Sequence, residues 1–230
     1  MEKFRVLNLY ACLGGNRYKW DEVSDNLEIV AVELDPYLAD AYSERFPNDE
    51  VVIGDAAVVL LERYEDFDFV WSSPPCPTHS KMRKVNTGKG ERKSPATFPD
   101  MRLYQEIIFL EHFFKGKYCV ENVISYYNPL IAPIKRGRHY YWTNFNLPNN
   151  LNSRDTKDFI KEGKGYIDKL LKFHEIDRDF YHSFKRSNGD LDKDQVLRNM
   201  VDYMEGKTIL ETVFGIYNSN NTAQISIFDE

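Results

Sequence analysis

Five short, β-rich apolar runs recur along the first half of the chain, at Phe4–Tyr10, Leu27–Val32, Val51–Ile53, Phe67–Trp71 and Tyr118–Val120. Helix-like segments at Pro36–Phe46, Ala56–Tyr64 and Met101–Phe114 separate them. Few architectures accept this order. Strand, helix, strand repeated in this way predicts an α/β fold whose parallel-rich sheet is covered by helices on both faces. In such a sheet, ligands sit beyond the carboxyl ends of the strands, near the point where strand order reverses. Chemistry is therefore expected in the loops that follow the five runs. With 230 residues, 42% of them hydrophobic, the chain can build one sizeable core and at most a small second unit.

No apolar run approaches the roughly 18 residues of a membrane span, and MEKFRVLNLY lacks a signal-peptide core, so a cytoplasmic protein is expected. The cysteines Cys12, Cys76 and Cys119 are odd in number and have no framework spacing, which fits reduced thiols. A net charge of −6 argues against nonspecific coating of nucleic acid, but the charge is uneven. Lys81, Arg83, Lys84, Lys89, Arg92 and Lys93 face a single Glu91 in a glycine-containing stretch, and Lys135, Arg136, Arg138 and His139 form a second cluster. An isolated basic run is usually solvated surface; two, each beside an unusual motif, point to a polyanionic partner.

The strand-end loops carry the candidate site. After the first run comes Ala11-Cys12-Leu13-Gly14-Gly15-Asn16, where paired glycines either admit a ligand to the backbone or only make a tight turn. Glu33-Leu34-Asp35-Pro36 ends the second run, with an acid suited to ribose hydroxyls. Gly54-Asp55-Ala56 ends the third, and Asp55 is equally suited to cap the next helix. Together these loops describe a nucleoside-binding edge. The fourth run leads into Ser72-Ser73-Pro74-Pro75-Cys76-Pro77-Thr78-His79-Ser80, a stiff extended loop. Cys12 and Cys119 read as packing residues, whereas Cys76 has polar neighbours and a following cationic stretch that favours thiolate. Cys76 and His79 have metal-ligand spacing, but no second pair complements them, so no metal is expected. The fifth run ends with Glu121-Asn122-Val123, another carboxylate.

In their order and spacing, LNLYACLGG, VELD, GDA, SSPPCPTHS and ENV resemble the DNA cytosine-C5 methyltransferases of bacterial or phage type. The resemblance implies a Rossmann-like, class I AdoMet-dependent methyltransferase fold with a small target-recognition insertion. It also implies S-adenosylmethionine (AdoMet) as methyl donor, Cys76 as nucleophile, and Glu121 as the group gripping the target cytosine. Pro133-Ile134-Lys135-Arg136-Gly137-Arg138 keeps the family's two arginines, which makes Arg136 and Arg138 catalytic candidates, with Arg138 contacting the cytosine O2 and a phosphate. Tyr10, Gly14, Gly15, Glu33, Leu34, Asp55, Pro74, Leu103 and Asn199 are implied on the cofactor side, and Ser80, Lys81, Arg83 and Lys84 against DNA. Departures are Asn8 for an Asp, Cys12 for a Gly, Pro77 for a Gln and Ile134 for a Gln. The same resemblance leaves open an RNA cytosine methyltransferase or a non-catalytic DNA-binding relative.

The expected organisation is an AdoMet-binding catalytic unit over 1–145, a target-recognition region over 146–190, a helix returning to the catalytic unit over 191–216 and a flexible tail over 217–230. A charged helical stretch is expected near Thr156–His174, followed by the aromatic and basic residues Phe180, Tyr181, Phe184, Lys185 and Arg186. The tail residues Gln224-Ile225-Ser226-Ile227-Phe228 resemble the peptides by which bacterial proteins bind the replication sliding clamp. The implied setting is a monomer acting on double-stranded DNA at a bacterial nucleoid or on phage DNA, as in restriction–modification systems.

Overall fold

The computed structural model describes residues 2–81, 97–155, 165–185 and 193–217. Its strands are β1 (Phe4–Leu9), β2 (Leu27–Glu33), β3 (Glu50–Ile53), β4 (Phe69–Ser72), β5 (Lys117–Val123), β6 (Ile134–Arg136) and β7 (His139–Thr143). They form one sheet in the order β3-β2-β1-β4-β5-β7-β6. The first five are parallel, and β7 runs antiparallel to both β5 and β6. The α-helices are α1 (Pro36–Arg45), α2 (Ala56–Arg63), α3 (Arg102–Phe113), α4 (Tyr166–His174), α5 (Arg178–Ser183), α6 (Lys193–Asn199) and α7 (Tyr203–Val213). Among the described residues no helix is long and apolar enough to cross a membrane.

Burial on both faces explains the near-continuous apolar runs of β1 and β2. On one face Leu7, Leu9, Val30 and Val32 pack with Leu60 of α2 and with Leu103, Ile107 and Leu110 of α3. On the other, Val6, Ile29, Phe69, Trp71 and Tyr141 pack with Trp20 and with Ile209, Leu210 and Val213 of α7. A third cluster joins α4, α5 and α6 to α1 through Leu38, Ala41, Leu170, Phe184 and Leu197, and reaches the loop after β1 at Leu13. The Phe180–Phe184 aromatics thus serve packing here, with Phe184 buried and Phe180 and Tyr181 against the same cluster. Helices α1 and α2 start where sequence dictates: Asp35 accepts from Tyr37 N–H at 3.0 Å and Asp55 from Ala57 N–H at 2.9 Å, with Pro36 in the first turn of α1.

Two features differ from expectation. No strand is expected from sequence in the basic cluster around Arg136, yet Ile134–Arg136 and His139–Thr143 form a hairpin turning at Gly137, whose φ is +51°. Glu121 lies within β5 rather than past its end, because β7 pairs with it and extends the strand to Val123. The Arg83 and Lys84 candidates, Arg186 and the whole Gln224–Phe228 peptide lie outside the described residues, as does the first half of the Thr156–His174 stretch, and α4 covers its end.

Helix α7 presses on the loop after β1. A Cβ on Gly206 would stand 2.1 Å from the Asn16 carbonyl oxygen, and Trp20 Nε1 donates to the Gly206 carbonyl at 3.1 Å. Backbone cannot yield as a flexible side chain does, so Gly206→Ala is expected to destabilise the protein by about 3 kcal/mol. Urea unfolding measures this, and a change below about 1 kcal/mol contradicts the packing described.

Candidate active site

Strand order reverses between β1 and β4, and the loops after these two strands bound the site. The loop after β1 is forced into an uncommon shape: Tyr10 and Cys12 have φ of 58° and 49°, and Gly14 has 67°. Non-glycine residues in the left-handed region cost free energy and concentrate at ligand sites. Gly14 and Gly15 are required by the protein's own packing, since a Cβ would meet the Phe46 ring at 2.3 Å or the Val201 carbonyl at 2.5 Å.

Glu33 Oε2 accepts from Cys12 N–H at 2.8 Å and Oε1 from Asp35 N–H at 2.9 Å, tying the first two loops together. Burial raises the Glu33 carboxyl against these hydrogen bonds. Leu34 projects with 69% exposure, an apolar surface beside two acids. Asp55 caps α2 and also accepts from Arg102 at 3.1 Å, so it does serve as a cap. Leu103 is buried in the core. Asn199, at the end of α6, is exposed. Sequence alone did not single out Glu106 of α3, a buried acid that accepts from Tyr10 Oη and, at 2.6 Å, from Ser72 Oγ, linking the ends of β1 and β4. Its signal is a carboxylate on the apolar face of Leu103, Ile107 and Leu110.

The Pro-Pro-Cys loop is fastened to β5. Asn122 Nδ2 donates to the buried Pro74 carbonyl at 2.9 Å, and His79 and Ser80 N–H groups donate to the Cys76 carbonyl at 2.9 and 3.1 Å. Ser80 bridges Ser125, while Lys81, the last described residue before the cationic stretch, is exposed. Cys76 is half-buried. Burial and then the Glu121 charge push its thiol up to about 11, so the neighbouring carboxylate opposes the thiolate expected from the cationic stretch. Glu121 is itself raised by burial, against the pull of His139 and Ser73. The two groups oppose each other's ionisation: the site accommodates a thiolate most readily when Glu121 carries a proton.

Arg138 flanks His139 in the turn and first residues of the hairpin. The guanidinium of Arg136, a catalytic candidate from sequence, donates to the carbonyls of Pro148 at 2.6 Å, Leu147 at 3.1 Å and Lys135 at 3.0 Å, and to Asn149 Oδ1 at 3.1 Å. These bonds hold residues 147–149 against the hairpin.

A family model described as C-5 cytosine-specific DNA methylase matches residues 4–123, more than half of the 230-residue chain. The chain belongs to this family. Among solved structures, the Entamoeba histolytica methyltransferase EhMeth is similar with a TM-score of 0.51 at 13% identity, covering 94% of this chain and 99% of its own. A mutant of Spodoptera frugiperda DNMT2 is similar with a TM-score of 0.50 at 14% identity, covering 92% and 100%. At these identities the likeness concerns fold alone. No curated protein sequence matches the chain significantly. The fold is that of the class I AdoMet-dependent methyltransferases, and membership of the C-5 cytosine family implies AdoMet as the methyl donor. The donor set fits that cofactor: carboxylates at the ends of β2 and β3 suit ribose hydroxyls and an adenine amine, and exposed Leu34 offers an apolar face to a base.

Proposed function

We propose that this protein methylates carbon 5 of cytosine in double-stranded DNA through a covalent adduct on Cys76. One observation carries it: the Pro-Pro-Cys loop is hydrogen-bonded to β5 through Asn122, beside a buried Glu121 whose charge acts on the thiol. The description of the matched family supplies DNA as the substrate class. In this account Glu33, Leu34, Asp55, Tyr10, Gly14, Gly15, Pro74, Leu103 and Asn199 form the cofactor side.

Carbon 5 of cytosine is a poor nucleophile until carbon 6 is attacked. The Cys76 thiol loses its proton to solvent and Sγ bonds to carbon 6, while protonated Glu121 gives its proton to ring N3 and keeps negative charge from building in the ring. When bound, AdoMet supplies the electrophilic methyl group that carbon 5 then accepts. Loss of the carbon 5 proton to solvent re-forms the double bond and expels the Cys76 thiolate, and ring N3 returns its proton to Glu121. Because carbon 5 is unreachable inside a duplex, the base is flipped out at a cost of a few kcal/mol, offset by contacts to phosphates from residues such as Arg138 and Lys81.

Methyl-labelled AdoMet offered with unmethylated duplex DNA, and separately with bulk RNA, tests the substrate class. Label is expected in DNA. Label in RNA alone overturns the assignment to DNA, and label in neither overturns the proposed function.

A further inference from the structure

Behind Glu121 lies a buried network to which the steps above assign no part. His139, the first residue of β7, has Nε2 3.8 Å from Glu121 Oε1 and Nδ1 3.4 Å from Oε2 of Glu205 on α7. Glu205 is buried and also accepts from Tyr141 Oη at 2.8 Å and Ser153 Oγ at 2.5 Å. A carboxylate removed from water and ringed by donors requires a cation, and the imidazole between the two acids is placed to be one. We propose that His139, held as an imidazolium by Glu205, stabilises the negative charge that Glu121 acquires when it hands its proton to the flipped cytosine.

This inference rests on the part given to Glu121 above. Burial favours the protonated form of that carboxyl, and a positive charge behind it favours the product of proton transfer. The Glu121 O–H bond breaks, an N3–H bond forms, and the resulting carboxylate faces Nε2–H of His139, which keeps its own proton. His139 is thus a positioning residue acting through Glu121. The groups facing it are Glu121 from β5, Glu205 from α7, Tyr141 from its own strand with ring centroids 6.3 Å apart, and Arg138, whose charge opposes protonation. Burial lowers the imidazole's affinity for a proton, but the charges of Glu121, when ionised, and of Glu205 outweigh it and lift His139 to about 8; while Glu121 holds its proton, Glu205 at 3.4 Å is the carboxylate that supports the imidazolium. Burial likewise works against the Glu205 carboxylate, yet His139, Ser153 and Tyr141 hold it below the usual range.

The test compares single-turnover methylation of duplex DNA by the wild-type protein and by His139→Gln across pH. Gln keeps hydrogen-bonding capacity without charge. Near pH 7 the wild-type protein is expected to be about tenfold or more the faster, and above about pH 9, where the wild-type imidazole is neutral and residue 139 carries no charge in either protein, the rates are expected to converge. In Glu205→Gln the convergence is expected at lower pH, because the imidazolium has lost a partner. NMR titration of the wild-type imidazole supplies a readout that needs no variant: the rate must change slope at the pH where His139 titrates. A constant ratio across pH, or no change of slope at the His139 titration, overturns the inference. A wild-type protein that methylates nothing refutes the proposed function instead.

Discussion

Replacing Cys76 by serine is expected to lower methyl transfer to DNA on the order of 10³-fold or more, while the protein still unfolds in one cooperative transition. The local fold does not depend on the sulfur. Prolines at 74, 75 and 77 restrict the backbone, Asn122 anchors the Pro74 carbonyl, and His79 and Ser80 bond to the Cys76 carbonyl rather than its side chain. What changes is the attacking atom. A serine hydroxyl in this half-buried place, beside a carboxylate and with no described base assigned to it, is a far poorer nucleophile than a thiol. DNA containing 5-fluorocytosine adds a second readout, since fluorine cannot leave as a cation and the adduct persists. The wild-type protein is expected to form a denaturation-resistant complex with such DNA, and Cys76→Ser none. Substantial turnover by the serine variant contradicts the nucleophile assignment.

The second large effect concerns Glu121. Glu121→Gln cannot give a proton to ring N3, and loss of one such transition-state donor costs about 10²–10³-fold in kcat. The same change has a consequence at the thiol. After burial, the charge of Glu121 is the largest influence raising Cys76 to about 11. Neutralising it is therefore expected to lower the thiol's pKa, so alkylation of Cys76 as a function of pH should shift to lower pH in Glu121→Gln. Slower methylation by a more reactive thiol separates the proton-donor role from loss of structure, because a disordered site slows both reactions or exposes the thiol without the pH shift. An unchanged alkylation profile contradicts the pairing of the two groups.

Sequence made the parallel half of the sheet legible for a physical reason. Strands buried on both faces, such as β1 and β2, are almost uniformly apolar, and their boundaries coincide with prolines, glycines or capping acids at Pro36, Gly54 and Asp55. The hairpin of β6 and β7 escaped notice because Lys135 and Arg136 occupy a three-residue edge strand, where charge signals a loop as readily as an edge. The hydrogen bonds of Arg136 were hidden for a related reason: they run to backbone carbonyls of residues 147 and 148, which no side-chain pattern reveals. His139 and Glu205 were also hidden, being 66 residues apart and joined only when β7 pairs with β5 and α7 packs on the face of the sheet. Cys76 and Glu121 stood out because rigid prolines and a strand-end carboxylate are visible in a line of sequence, but their mutual effect on ionisation belongs to the fold.

The most direct measurement is the chemical position of the transferred methyl group. After reaction with AdoMet, DNA that began without methylated bases is digested to nucleosides and separated by chromatography with mass detection. Addition at carbon 6 by Cys76 activates carbon 5 alone, so 5-methyldeoxycytidine is the expected product, absent when Cys76→Ser replaces the wild-type protein. A methyl group on an exocyclic amine of cytosine or adenine, or 5-methyldeoxycytidine formed equally by the serine variant, would contradict the account.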